Sequence, residues 1–266
     1  MKNMMGPECM HAPDNDPRTS PMMSWCDGPS PRPWPLGAPS VRCLSCSPLE
    51  GHEVLLCLFD LDDPRATNPS WLSCLSPDER DRAQRFKFEL HARRHRAGRA
   101  MVRHLLASWC QRPVDALPLP LGPHGKPRLP WPGAPHFNLS HSGDWALLAV
   151  SATLDIGVDL ELLEHRQHLA SLSPRILSPQ EQHAGGPLGP KGASTLLHTW
   201  VRKEACMKAL GLGLTHEMSE LTLTSSANAT GGTATTPAVR GTIGWLDLTL
   251  PDDCPGVGSL AWISPA

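Results

Sequence analysis

Between Thr153 and Leu163 the sequence TLDIGVDLELL alternates apolar and polar side chains, the period of a strand that buries one face. Ile156, Val158 and Leu160 fall on one side, and Asp155, Gly157, Asp159 and Glu161 fall on the other. Any fold must therefore set the first row against a core and accommodate three carboxylates on the second. Asp159 and Glu161 stand ~7 Å apart along the strand, near enough to ligate one cation and far enough to stay ionised. Oxygen ligands favour a hard ion such as Mg2+. A sheet edge with solvated acids fits the same pattern, and the strand alone leaves both readings open.

A helix over 196–214, LLHTWVRKEACMKALGLGL, bears on that choice. Trp200, Glu204 and Lys208 recur every four residues and form one stripe, while Val201, Ala205 and Leu212 lie to the side that packs inward; Gly211 and Gly213 end the helix. The stripe offers a third acid for a metal and a cation for a phosphate, although a Glu–Lys pair at this spacing is also a common surface ion pair. Upstream, LGPHGKPRLPW sets Lys126 beside Gly125, where backbone amides can approach an anion, without the spacing of a nucleotide-binding P-loop. FNLSHSGDW, from Phe137 to Trp145, sets His141 between Ser140 and Ser142. Base, metal ligand, phosphate donor and turn residue are all open to that histidine. A serine hydrolase reading fares poorly, because neighbouring strand residues face opposite ways and no G-x-S-x-G is present.

Ser76 caps a predicted helix with Pro77 at its first position and Asp78 and Glu79 at the positive end of its dipole. A bend is expected near His91, followed by a second helix with Ala97, Ala100, Met101, Leu105 and Trp109 inward. Nine Lys or Arg between residues 80 and 104 face only Asp81 and Glu89. A solvated face explains such a run, RNA contact lacks interleaved aromatics, and a phosphorylated small ligand fits its isolation.

That isolation matters because the whole chain carries a formal charge of -2, which argues against a general nucleic-acid binder. The apolar run Val54–Phe59 is far short of the ~20 residues that span a bilayer, so no membrane association is expected. Nine cysteines without a secretory h-region point to reduced thiols and a cytoplasmic protein. Cys43 and Cys46 form a C-x-x-C that lacks a second pair, and incidental thiols are the better reading. Residues 1–47 are dense in proline and lack apolar periodicity, so a disordered arm is expected there, with folding beginning at the strand Glu53–Leu61.

GKPRLP, FNLSHSGDWALLAVS, IGVDLE and WVRKEACMKALGLGL, in this order, with RRHRAGRAMVR upstream, resemble the 4′-phosphopantetheinyl transferases of the surfactin-synthetase-activating type. The resemblance covers residues 53 to 264. It implies an α+β fold, a pseudo-dimer of two similar α+β halves with the ligand site between them, over 53–150 and 151–266. A short echo of GDWALLAVS in GVGSLAWIS accords with such a repeat. The implied reaction transfers phosphopantetheine from coenzyme A to a serine of an apo acyl or peptidyl carrier protein, releasing 3′,5′-ADP. By resemblance Asp159, Glu161 and Glu204 hold Mg2+, Glu204 is the general base, and Lys208 holds the pyrophosphate. Lys126, Ser140 and His141 bind coenzyme A phosphates. Glu79 stands where relatives often carry a base, which leaves the 3′-phosphate to Arg82, Arg94 and their neighbours. A monomer is expected, and the segment QEQHAGGPLGPKGA, where relatives meet the carrier, leaves carrier choice open. A Mg2+-dependent phosphohydrolase acting on a phosphorylated small molecule is the alternative, and a non-catalytic interaction protein built on the proline arm is a third.

Overall fold

The structure, a computed structural model, describes residues 25–27, 34, 37–164, 169–184, 192–212, 217–226 and 230–264. The expected helix end at Gly213 and half of the expected carrier-contact segment, residues 185–191, lie outside the described residues. Among those described, ten strands make two antiparallel sheets. The first holds β1 (Cys26–Asp27), β2 (Arg42–Leu49), β3 (His52–Asp60), β4 (His136–Ser142) and β5 (Trp145–Ser151), in the order β1-β2-β3-β5-β4. The second holds β6 (Ile156–Leu162), β7 (Thr222–Ser225), β8 (Gly231–Thr235), β9 (Ile243–Leu248) and β10 (Gly256–Ile263), in the order β6-β10-β9-β8-β7. The chain crosses between them after Ser151, and two mixed helix-and-sheet halves result, as expected.

Strand alternation decides what lies between the layers. Val54, Leu56, Leu58, Leu147 and Ala149 of the first sheet meet Ile156, Val158, Leu160, Leu260 and Trp262 of the second in one shared core. The opposite rows face helices. Of the helices α1 (Pro69–Leu72), α2 (Pro77–Gln84), α3 (Glu89–Cys110), α4 (Ser173–Ile176), α5 (Pro179–His183) and α6 (Gly192–Leu210), the two long ones cover the outer faces. Ala97, Met101, Leu105 and Leu106 of α3 pack on Leu55, Cys57, Phe59 and Leu148, while Ala205, Cys206 and Ala209 of α6 pack on Trp245 and Ala261. The order of layers is helix, sheet, sheet, helix.

The α2 terminus forms the capping box that Ser76 and Glu79 announce, each bonding the other's backbone amide. The break between α2 and α3 falls at residues 85–88, a few positions before the expected bend at His91. The C-x-x-C does not pair: Cys43 and Cys46 lie on opposite faces of β2, and Cys43 instead sits across from Cys57, with 3.2 Å between sulfurs.

The expected arm over 1–47 is corrected at its C-terminal end. Residues 42–47 belong to β2, which pairs with β3 ahead of the expected start at Glu53. Val41, Cys43 and Leu44 are buried. Proline density hid this because VRCLSC is short and its polar residues, Arg42 and Ser45, break the two-residue alternation of a strand. Arg42 also forms a two-pronged ion pair with Asp253 of the second half and lies over the Trp145 ring. Burial of the Val41 and Leu44 side chains contributes about 3 to 6 kcal/mol, at roughly 1.5–3 each, against a typical total of about 5–15. Deleting residues 1–47 is therefore expected to abolish the cooperative thermal transition followed by circular dichroism or to lower its midpoint by more than 10 °C, on the order of 4–8 °C per kcal/mol for a small domain and less for a larger one; an unchanged midpoint would show β2 to be dispensable.

Candidate active site

β4 and β6 are edge strands of their own sheets and lie against each other, yet no backbone ladder joins them. Side chains take its place. Asn138, Ser140 and Ser142 alternate along β4 and reach the backbone amides of β6: Val158 N donates to Asn138 Oδ1 at 2.8 Å, Leu160 N to Ser140 Oγ at 3.2 Å and Leu162 N to Ser142 Oγ at 3.1 Å. His141, between the serines, faces the other way and is exposed. The two hydroxyls also donate, Ser140 to Asp159 Oδ1 at 2.8 Å and Ser142 to Glu161 Oε2 at 2.7 Å.

The far side of β6 receives α6. At Gly157 a β-carbon would lie 2.1 Å from Ala205 O and 2.3 Å from Ala209 N, so only glycine permits this approach. Close contact brings the Trp200–Glu204–Lys208 stripe over the acidic row. The resulting cleft, of about 280 Å3, is lined by Leu139, Ser140, His141, Asp159, Glu161, Trp200, Glu204 and Lys208. Asp155, the third acid of the row, is not part of it and pairs with His136 Nδ1 at 2.7 Å.

Lys208 Nζ bonds Asp159 Oδ1 at 2.6 Å and Ser140 Oγ at 3.0 Å. Asp159 is buried, and its Oδ2 has no hydrogen-bond partner. Burial raises its pKa, opposed by the Lys208 ammonium. Burial, then the charges of Asp159 and Glu161, pushes the Glu204 carboxyl up to about 7. His141 is exposed to solvent at the cleft mouth yet hemmed in by protein; that desolvation, with Lys208, lowers its pKa.

His141 also lines a larger groove of about 1230 Å3 that runs past Arg82, Arg94, His95 and Arg99. Histidine and cleft are thereby joined to four arginines of the cationic run, Arg82, Arg94, Arg99 and Arg103. Much of that run is paired: Arg93 and Arg94 hold Asp62, Arg96 holds Glu89, and Arg99 and Arg103 hold Glu79. Arg82 is exposed in the groove, whereas Arg94 enters it already bound to Asp62 by two hydrogen bonds.

Two expected phosphate ligands are engaged within the protein. Lys126 Nζ donates to Ile156 O at 2.8 Å and to Lys208 O at 2.9 Å, fastening its loop to β6 and α6 rather than meeting the groove. Ser140 does line the cleft, but its hydroxyl donates to Asp159 and accepts from Leu160 N and Lys208 Nζ. Its lone donor and both acceptor sites are thus engaged within the protein. Sequence reasoning missed the roles of Asn138 and Ser142, although the N-x-S-x-S alternation places both on the Ser140 face. His95, whose pKa burial and nearby Arg99 lower to about 4, was likewise unremarked.

A carboxylate cleft with a lysine, opening on a cationic groove, marks an enzyme that handles phosphate esters. Residues 65–153 match the family model described as 4′-phosphopantetheinyl transferase, N-terminal, and residues 155–244 match that of the 4′-phosphopantetheinyl transferase superfamily. The chain belongs to that superfamily. It is 36% identical over 186 residues to the 4′-phosphopantetheinyl transferase HetI of Nostoc sp., covering 68% of this chain and 78% of that one. A putative 4′-phosphopantetheinyl transferase of Synechocystis sp. is 32% identical over 181 residues, covering 64% and 68%, and psf-1 of Bacillus pumilus is 31% identical over 149 residues, covering 56% and 63%. The protein is a phosphopantetheinyl transferase that takes coenzyme A as substrate and acts on carrier proteins. Among the described residues no helix is long and apolar enough to cross a membrane.

The electrostatics of Glu204 can be tested without substrate. Its folded-state pKa of about 7 exceeds the ~4.3 of an exposed glutamate, so the folded state keeps a proton that the unfolded state loses. The stability from that proton is full below ~4.3 and is lost as pH rises to about 7. Glu204→Gln cannot ionise, so with no divalent metal its melting temperature should gain on the wild type between pH 5 and pH 8. A constant gap across that range would refute the raised carboxyl.

Proposed function

We propose that Asp159, Glu161 and Glu204 hold a catalytic Mg2+ and that the cleft and the groove together bind coenzyme A. The observation that carries this reading is the convergence of the β6 acids and the α6 stripe in one cleft, with His141 shared between cleft and groove. As they stand, the described residues include no group of three His, Cys, Asp or Glu gathered closely enough to ligate a metal, so Glu204 must turn toward the β6 acids on binding. The donors still suit a hard ion: all are carboxylate oxygens, and Asp159 Oδ2 is buried without a partner. A bound divalent cation would offset charge on the pyrophosphate as the carrier serine attacks the β-phosphorus.

The chain's own groups perform the remaining steps. Glu204, ionised, accepts the serine proton as the new Oγ–P bond forms and the bond to 3′,5′-ADP breaks. Lys208 turns from Asp159 to the pyrophosphate, and His141 donates to a coenzyme A phosphate from the groove side. Arg82 meets the terminal phosphate, with the remaining N–H groups of Arg94 beside it. We further propose two halves meeting at residues 150 and 151, a monomeric enzyme of the surfactin-synthetase-activating type, and a cytoplasmic setting that suits the free thiols of the described cysteines.

Incubation with coenzyme A, Mg2+ and a generic apo carrier should add one phosphopantetheine to the carrier by mass spectrometry, and both Asp159→Ala and Glu204→Ala should abolish the addition. Near-normal turnover of either variant at saturating Mg2+ would sink the metal assignment. His141→Ala separates phosphate binding from base catalysis. Loss of a hydrogen bond to a charged group weakens coenzyme A binding by roughly 1–3 kcal/mol, whereas loss of a general base leaves affinity intact and slows single-turnover transfer ~10^2- to 10^4-fold. Weaker binding is the expected result, and intact affinity with a collapsed chemical step would reassign the proton transfer to His141.

A further inference from the structure

Ser142 lies outside the ligand set just described, on the strand that delivers His141 to the groove. Its hydroxyl is buried in the seam between the sheets, accepts from Leu162 N at 3.1 Å and donates to Glu161 Oε2 at 2.7 Å. Its bond to the backbone fixes the height of β6 against β4, and its bond to the carboxylate fixes the rotamer of Glu161 at that height. Ser140 does the same for Asp159 one pleat away. Asn138 supplies the backbone half of the device alone, accepting from Val158 N, opposite a residue with no carboxylate. The seam thus contains its own control.

We infer that Ser142 is a positioning residue for Glu161: it orients one metal-binding carboxylate of the C-terminal half from the N-terminal half, so that a competent site forms only when β4 and β6 are in register. This rests on the reading that Asp159, Glu161 and Glu204 hold the divalent cation. Hydrogen-bond partners of metal ligands commonly change metal affinity or activity 10- to 100-fold when removed. An asparagine that clamps only the backbone has no such leverage.

The test compares Ser142→Ala with Asn138→Ala in the full chain. Both remove a side chain that accepts from a buried β6 amide, so both should lower the thermal midpoint. Binding of Mn2+, as a paramagnetic stand-in for Mg2+, is then measured by the loss of the free-ion resonance with coenzyme A saturating for each variant, because Asn138 also lines the groove. Ser142→Ala should weaken Mn2+ binding about 10- to 100-fold, and Asn138→Ala should leave it within about threefold of wild type, the ordinary scatter of a change that adds no ligand effect. Should Ser142→Ala fail to fold, Ser142→Cys carries the test, since a thiol keeps the shape but is a weak donor and acceptor; it should lie between alanine and wild type. Equal Mn2+ affinities in wild type and the position-142 variant, or equal losses in the two seam variants, would overturn the inference while leaving the metal site standing. A wild-type protein that binds no Mn2+ would instead overturn the metal reading and this inference with it.

Discussion

Everything at the active site depends on how the exposed edge of β6 is completed. An edge strand presents unpaired amides that attract another strand, and burying them unpaired costs free energy comparable to lost hydrogen bonds. Here the partners are three polar side chains of β4 rather than its backbone. The distinction has a chemical consequence. Continuation of the ladder would fuse the sheets into one and leave no polar side chains in the seam. Side-chain pairing keeps two sheets, lets one sheet fold over the other around the shared core, and puts hydroxyl groups within reach of Asp159 and Glu161.

Packing on the opposite face is as tightly constrained. Gly157 brings α6 down on β6 until the backbone of Ala205 would touch any β-carbon there, and the α6 stripe then has no choice but to overhang Asp159 and Glu161. Gly143, at φ +58°, turns β4 into β5 where a β-carbon would lie 2.5 Å from Leu162 Cδ1. Lys126 completes the fastening from the N-terminal half by bonding Ile156 O and Lys208 O, one on each side of the Gly157 contact. Desolvation lowers its pKa, in keeping with an ammonium held by carbonyls and only distantly by Asp155. Site geometry is thus set by backbone approach first and by charge second.

Much of this was legible in the sequence, for a physical reason. Alternation in TLDIGVDLELL and the four-residue recurrence of Trp200, Glu204 and Lys208 are periodic signals that determine which side chains share a face, and the structure brings both rows into one cleft. Periodicity cannot reveal what a side chain meets across a gap. Lys126 and Ser140 have the chemistry of phosphate ligands, and only tertiary contacts show that carbonyls, an amide and Asp159 have already engaged them. Strand β2 escaped for a different reason: although it pairs with β3 in a tight local hairpin, its alternation is irregular and the nearby prolines dominate a reading of composition.

Glu79 shows how one substitution in charge can be absorbed. The resemblance leads one to expect a base near this place in α2, at the end of the groove where a phosphate is proposed to sit. Its carboxylate instead accepts from Ser76 N, Arg99 and Arg103, and Arg103 in turn donates to Leu117 O. Burial raises its pKa, but the two guanidiniums and the cap prevail, and the carboxylate is held below its usual range. A lysine here would forfeit the cap and leave the buried Arg103 without a counter-charge, a change that typically costs several kcal/mol. The acid is therefore structural, and its single charge offsets one of the two guanidiniums of Arg99 and Arg103 within the groove. Arg82, which is exposed, and the part of Arg94 that Asp62 leaves over add to the positive charge that the groove keeps for a ligand.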